Sequence, residues 1–347
     1  MLPNTKPVKV GIAGLGRSGW DIHAAILAKL NEKFELVSVF DLDSKRQKQA
    51  KDRFNCRTYS NYDEFLEDRD TELVIIALPN YLHASYSMEA LNVGKHVLCE
   101  KPMSTSLRDA DMMIAAASKA CKVLTIFQNQ RYAPDFQVVK RIIDSGCLGR
   151  IVLIRIARHG FGRRWDWQTL KRFGGGTLNN TGPHILDQAL VLFGDEQPSV
   201  YCRMEKTLTL GDAEDHVKVI ISGKNSPTIE IEITAACAYP QPMWLVMGTQ
   251  GGLSGTEERL QWKFFNPAEL PVRKVETTPT PDRSYNSEDI PWTEDMWELE
   301  KGGSHGEIDF YLDLYETLVY DKPLVITPES VWRQIWLLDK CHKLSPV

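Results

Sequence analysis

Apolar and polar positions follow two different rhythms along the chain. Early on, short apolar runs stand apart from longer segments with helical spacing. Val8–Ala13 reads as a buried strand, and a glycine-rich turn leads from it into a helix from about Gly19 to Leu30. A second strand, Glu35 to Phe40, ends at Asp41. Further apolar runs lie at Glu72–Ala77 and Lys95–Cys99, and a helix over Leu107–Ala120 leads into Val123–Ile126. Strands separated by helices of this length predict a parallel, doubly wound sheet, because parallel neighbours need a long crossover between them.

After about residue 127 the rhythm changes. A helix over Asp135–Asp144 precedes a long strand, Ile151–Arg158. Strand-like runs then follow closely: Val200–Leu208, His216–Ile221, Thr228–Ala235, Trp244–Met247 and Leu260–Phe264, with turns such as Gly223-Lys224-Asn225-Ser226-Pro227 between them. Short connections of this kind predict a mainly antiparallel sheet. Two helices close the chain, about Glu307–Tyr320 and Pro328–Leu344, the second with Thr327 as N-cap and Pro328 at its first position. The prediction is an α/β protein of two domains, residues 1–127 and 128–347, whose closing helices are free to pack back on the first.

Composition narrows the classes. The 347 residues are 43% hydrophobic and 25% charged, as in a soluble globular protein, and suffice for two cores. The net charge of -5 argues against a nucleic-acid partner, and the basic run Lys45-Arg46-Gln47-Lys48 reads as a solvated helix face. No apolar run is long enough for a membrane span, and the start of the chain lacks the apolar core of a signal peptide. Seven scattered cysteines, an odd number without a Cys-x-x-Cys pair, point to reduced thiols and a cytoplasmic protein. His159, His184 and His216 show no metal-ligand spacing, so no metal is expected.

Gly14-Leu15-Gly16-Arg17-Ser18-Gly19 is a Gly-x-Gly-x-x-Gly between a strand and a helix, the setting in which this motif binds a dinucleotide. Gly14 serves the tight turn, Gly16 the approach of a pyrophosphate to the helix N-terminus, and Gly19 the packing of helix on strand. Asp41 stands 25 residues past Gly16 at a strand end. A carboxylate there accepts from both ribose hydroxyls of NAD and repels a 2'-phosphate, which favours NAD over NADP, although Lys45 and Arg46 close behind could tolerate the phosphate.

Further segments carry a family likeness: Ala77-Leu78-Pro79-Asn80-Tyr81-Leu82-His83, Glu100-Lys101-Pro102, Gln130-Arg131-Tyr132-Ala133-Pro134, and Gly174-Gly175-Gly176 followed by Asn180, Gly182, His184 and Asp187. Together with the glycine motif and in this order, they resemble the glucose-fructose oxidoreductase and inositol dehydrogenase family (Gfo/Idh/MocA) over nearly the whole chain. The resemblance implies a Rossmann domain, a second α/β domain with a large open sheet, and a homodimer or homotetramer built on that sheet. It implies cofactor contacts from Gly14, Gly16, Arg17, Ser18, Gly19, Asp41, Leu78, Pro79, Asn80, His83, Glu100 and Lys101. It further implies that Lys101 points at the reacting hydroxyl and that His184 is the acid/base.

The side-chain chemistry agrees. Alcohol oxidation needs a proton acceptor beside the oxygen, and histidine titrates near neutrality. Lys101 can donate to the oxygen as alkoxide charge develops. Pro102 shapes the turn that aims it, with a cis bond open to it. The chain departs from the family at Asn180, where many members carry aspartate. An amide can hold a hydroxyl but cannot take its proton, so Asn180 is assigned to substrate positioning. Asp187, one helical turn past His184, either orients it or is a helix-surface carboxylate.

On the substrate side, His159-Gly160-Phe161-Gly162-Arg163-Arg164-Trp165-Asp166-Trp167-Gln168 places two tryptophans among arginines, which suits a sugar pocket. The alternative is a packed loop with Trp165 and Trp167 in the core. Arg131, Arg158, His159 and Tyr239 complete the expected substrate contacts. The expected function is NAD-dependent hydride transfer at a hydroxyl carbon of a sugar, glycoside or cyclitol, with glycoside 3-dehydrogenation among the options. Two other readings stay open: a retained NAD used for oxidoreduction, epimerisation or glycosidic cleavage, and a non-catalytic NAD- or sugar-sensing regulator.

Overall fold

A computed structural model describes residues 6–280, 283, 285–300 and 306–347. The first five residues, part of the start read above for a signal peptide, lie outside that set. Six strands form the first sheet: β1 (Val8–Ala13), β2 (Phe34–Phe40), β3 (Arg57–Tyr59), β4 (Leu73–Ile76), β5 (His96–Cys99) and β6 (Leu124–Ile126). Their spatial order is β3-β2-β1-β4-β5-β6, and every recorded pairing is parallel. β4 is buried along its full length, which is why it reads as a continuous apolar run. The strand order reverses between β1 and β4, and in open sheets of this kind ligands bind beyond the carboxyl ends of the strands at such a reversal.

The second sheet has eight strands: β7 (Ile151–His159), β8 (Ser199–Glu205), β9 (His216–Ser222), β10 (Thr228–Thr234), β11 (Trp244–Gly248), β12 (Gly251–Gly255), β13 (Arg259–Phe264) and β14 (Thr293–Glu298). They run in the order β14-β13-β12-β11-β7-β10-β9-β8, antiparallel except for the β7–β10 pair. Along β9 and β10 buried and half-buried residues alternate, so one face lies on the core. The helix Gly182–Phe193 covers that face, packing on β10.

The closing helices join the two halves. Tyr311, on the helix Glu307–Tyr320, stacks edge-on against Phe34 of β2, and its neighbour Phe310 does so against Phe127 past β6. The helix Pro328–Leu344, capped by Thr327, packs on Leu107–Ala120, on Gly182–Phe193 and on β8.

Five elements differ from expectation. The helix after the glycine turn begins as a π-helical segment, Ser18–Ala24, before the α-helix Ala25–Lys29. β8 stops at Glu205 rather than Leu208, because Asp215 draws the backbone N–H groups of Thr207, Leu208 and Thr209 out of the ladder. β3, β12 and β14 carry no clear periodic signal. β12 is Gly-Gly-Leu-Ser-Gly, and β14 is an almost fully exposed edge strand.

Candidate active site

The candidate site forms where the strand ends of the first sheet face the segment between β7 and β8. At the end of β1, Gly14 has a positive φ of 96°, and a side chain on it would press on the carbonyl of Ala77 after β4. A side chain on Gly19 would collide with the carbonyl of Gly14, so helix and turn pack without a gap. Gly16 faces open space. Asp41, at the end of β2, is buried and accepts from the backbone N–H of Leu15 (2.7 Å) and of Asp43 (2.8 Å). It thus braces the glycine turn, while Asp43 caps the next helix. Arg46 reaches to 3.5 Å from the Asp41 carboxylate. The open flank of Gly16 beside a strand-end carboxylate fits a dinucleotide with its pyrophosphate on the turn and its ribose at Asp41.

Lys101 lies two residues past β5 and is followed by a cis Lys101–Pro102 peptide. Its ammonium donates to the backbone carbonyl of Asn180 at 2.8 Å. That contact joins the two halves at the site, and the Asn80 side-chain amide adds another by donating to the carbonyl of Gly174 (3.4 Å). The side chain of Asn180 makes no recorded hydrogen bond among the described residues. Burial lowers the pKa of Lys101; the charge of Glu100 opposes this, and that of Arg17 reinforces it.

His184 lies in the first turn of the helix Gly182–Phe193. Burial pushes its imidazole down to about 3, and the nearby positive charges of Lys101 and Arg158 push the same way. The ring is therefore uncharged at neutral pH. Its Nδ1 is enclosed and has no hydrogen-bond partner among the described residues, an acceptor or donor left unused in a ring that senses the Lys101 charge.

Several residues expected at the ligand are committed elsewhere. Arg131 is nearly buried and forks onto Asp187 through two bonds of 2.7 Å, with a third to Ser330 at 3.0 Å. Buried charges have to be paired, so this arginine is a strut rather than a substrate contact. Asp187 is correspondingly neither the orienter of His184 nor a surface carboxylate; it is 3% exposed and spent on Arg131. Breaking a buried pair leaves a bare charge, so Arg131→Met should lower stability by about 3–5 kcal/mol. Chemical denaturation is the check, and a loss under about 1 kcal/mol would contradict the pairing.

His159 turns away from the site. Successive strand residues face opposite sides, so Arg158 shares the core-facing side with His184 while His159 lies 2.9 Å from Glu232 on the other. Arg158 is itself paired with Glu257. His83 is buried between the carbonyls of Leu78 and Pro102, so it bridges two turns and has no ring edge left for a cofactor. Glu100 is also buried behind the site. It meets His23 at 3.1 Å and accepts from the Lys101 backbone N–H, and His23 continues to the Tyr311 hydroxyl at 2.7 Å. Burial opposes its ionisation, but the hydrogen bond and charge of His23, with Lys101 and His83 beyond, hold its carboxyl below the usual range. The Glu100–His23–Tyr311 chain joins residues up to 288 positions apart, and no local pattern announced it.

Trp165 and Trp167 are not core residues. Trp165 is 76% exposed, as Tyr239 is at 91%, and Trp167 is also exposed. Their loop is anchored through the buried Thr169 and through Gln168, whose carbonyl accepts from Gly176. The loop after β7 pairs with the loop after β10 through Phe161 and Ala236, which places Tyr239 on the neighbouring loop.

Comparison with known proteins places the chain. Residues 8–128 match the "oxidoreductase family, NAD-binding Rossmann fold" of Gfo/Idh/MocA, and residues 136–254 match the Gfo/Idh/MocA C-terminal domain. An uncharacterised oxidoreductase of Schizosaccharomyces pombe is 34% identical over 222 residues, 62% of this chain and 60% of that protein. The chain thus spans less than two thirds of that relative's length. Inositol 2-dehydrogenase of Salmonella typhimurium is 30% identical over 67% of this chain and 68% of that one. The oxidoreductase yvaA of Bacillus subtilis has the same fold, with a TM-score of 0.82 at 18% identity over 98% of this chain and 97% of that one. The protein is therefore a member of the Gfo/Idh/MocA oxidoreductase family.

Proposed function

We propose that the protein transfers a hydride between NAD and a CH–OH carbon of a sugar, glycoside or cyclitol. The reading rests chiefly on one observation: the Lys101 ammonium sits on the Asn180 carbonyl and its charge reaches an uncharged His184 whose Nδ1 has no partner among the described residues. NAD, when bound, supplies the hydride acceptor. In the oxidation direction Lys101 donates to the substrate oxygen and steadies its growing negative charge. His184 takes the hydroxyl proton; in reduction it returns it. The free amide of Asn180 orients a neighbouring hydroxyl. The exposed Trp165, Trp167 and Tyr239 offer flat faces to the C–H surface of a sugar ring, and their openness favours a glycoside over a bare monosaccharide. The inositol 2-dehydrogenase relative supports cyclitols as the alternative.

A panel of glycosides, free sugars and inositols, followed by NADH absorbance, tests the substrate class. Glycosides are expected to give the highest kcat/KM; free sugars or inositols ahead of them would overturn the preference. NAD that co-purifies and is not exchanged would instead indicate a retained cofactor. Ligand binding without any turnover would indicate a sensor.

Asp41 supports NAD over NADP, since its carboxylate would face a 2'-phosphate. Asp41→Ala should narrow the NAD preference by about tenfold or more, Arg46 then being free to meet a phosphate. Steady-state KM values for both cofactors measure it, and an unchanged ratio would refute the assignment. The outer face of the second sheet, with Met247, Trp292 and Met296 exposed, supports a homo-oligomer. Among the described residues no helix is long and apolar enough to cross a membrane.

A further inference from the structure

The carbonyl that receives the Lys101 ammonium lies on the last residue of a very short helix, Thr177–Asn180. A single turn has almost no stability of its own. Something outside it has to fix where that carbonyl points. Glu214, on the loop before β9, does so from below. Its carboxylate accepts from the Leu178 N–H at 2.9 Å, and its backbone carbonyl accepts from the Thr177 N–H at 3.0 Å. Both are N–H groups of the first helical turn, which have no partner within the helix. Gly176 has a φ of 109°, and a side chain there would collide with the Glu214 carboxylate.

Glu214 is itself held firmly. It is buried, and its neighbour Asp215 accepts from three successive N–H groups, those of Thr207, Leu208 and Thr209. Asp212 and Ala213 donate to the Thr169 carbonyl in the tryptophan loop. A rigid loop of the second sheet therefore grips the turn on which a lysine of the first sheet is docked.

We propose that Glu214 is a positioning residue for hydride transfer: it sets the Asn180 carbonyl, and through it the Lys101 ammonium, at the height of the reacting oxygen. This inference rests on the function proposed above for Lys101. Glutamine at 214 keeps an oxygen acceptor of the same shape, whereas alanine leaves the Leu178 N–H bare.

The test uses the full chain with NAD and the panel member that turns over fastest, and compares Glu214→Ala, Glu214→Gln, Gly176→Ala and Lys101→Met. Glu214→Ala should lower kcat by about ten- to a hundredfold, the scale of a catalytic group displaced by about 1 Å. NAD affinity, read by quenching of protein fluorescence, should stay at the wild-type value, and Glu214→Gln should restore most of kcat. Gly176→Ala pushes on the same joint from the other side and should also lower kcat, which keeps the test decisive if Glu214→Ala fails to fold. A crystal structure of the impaired variant should show the Lys101 ammonium beyond hydrogen-bond reach of the Asn180 carbonyl, about 3.5 Å. Wild-type kcat in Glu214→Ala or Gly176→Ala, or an equal loss in Glu214→Gln, overturns the inference. Wild-type turnover in Lys101→Met overturns the site assignment instead, a distinct result.

Discussion

Replacing His184 with alanine is expected to cut kcat by about a thousandfold while leaving NAD affinity unchanged. A positioned acid or base contributes about 10²- to 10⁴-fold, and the middle of that range corresponds to about 4 kcal/mol of barrier. Cofactor binding should be spared because the proposed dinucleotide contacts, the glycine turn and Asp41, belong to the other half of the molecule. The wild-type pH profile sharpens this prediction. The imidazole is pushed down to about 3, below its ordinary 6.5, so it stays a free base far into the acid range. The acid limb of kcat/KM should therefore fall well below pH 6. An acid limb near 6.5, or turnover in the alanine variant within tenfold of wild type, would refute the role.

Lys101→Met should cost about 10²- to 10³-fold in kcat, the scale of losing one donor to developing oxyanion charge. It should also change His184. The lysine charge is one of the causes that depress the histidine, so its removal raises the histidine pKa, while burial keeps it under 6.5. An NMR titration of the His184 ring in the variant measures this, and a pKa that stays put would show that the two side chains do not sense each other. In the wild type the lysine carries its own signature. Its pKa lies below 10.5, so the ammonium is lost sooner than in an ordinary lysine as pH rises, and activity should fade below that value.

The first sheet was legible because its central strands are buried on both faces and need no periodicity to be recognised. β14 was not, since Thr-Glu-Asp-Met-Trp-Glu on an exposed edge carries no apolar rhythm. At the site, positions set by local context were legible: the glycines at a turn, Asp41 at a strand end and Lys101 after β5 stand where the sequence put them, and their binding roles are the proposal made above. Arg131 and Asp187 were misjudged because a charge that meets a ligand and a charge that meets another charge look alike in one dimension, and these two lie 56 positions apart. His159 failed for a geometric reason, since it follows Arg158 and strand neighbours face opposite ways. Glu100 and His83 sit in the recognised segments, yet they hold the turns from behind rather than lining the ligand face.

The ammonium of Lys101 rests on the main chain of residue 180 and ignores its side chain. A peptide carbonyl is present whatever amino acid stands there, so exchanging amide for carboxylate at this position does not unmoor the lysine. Under the function proposed above, anchoring and recognition are thereby uncoupled within a single residue: a change of that side chain would retune which hydroxyls are accepted while the support of the lysine stays in place.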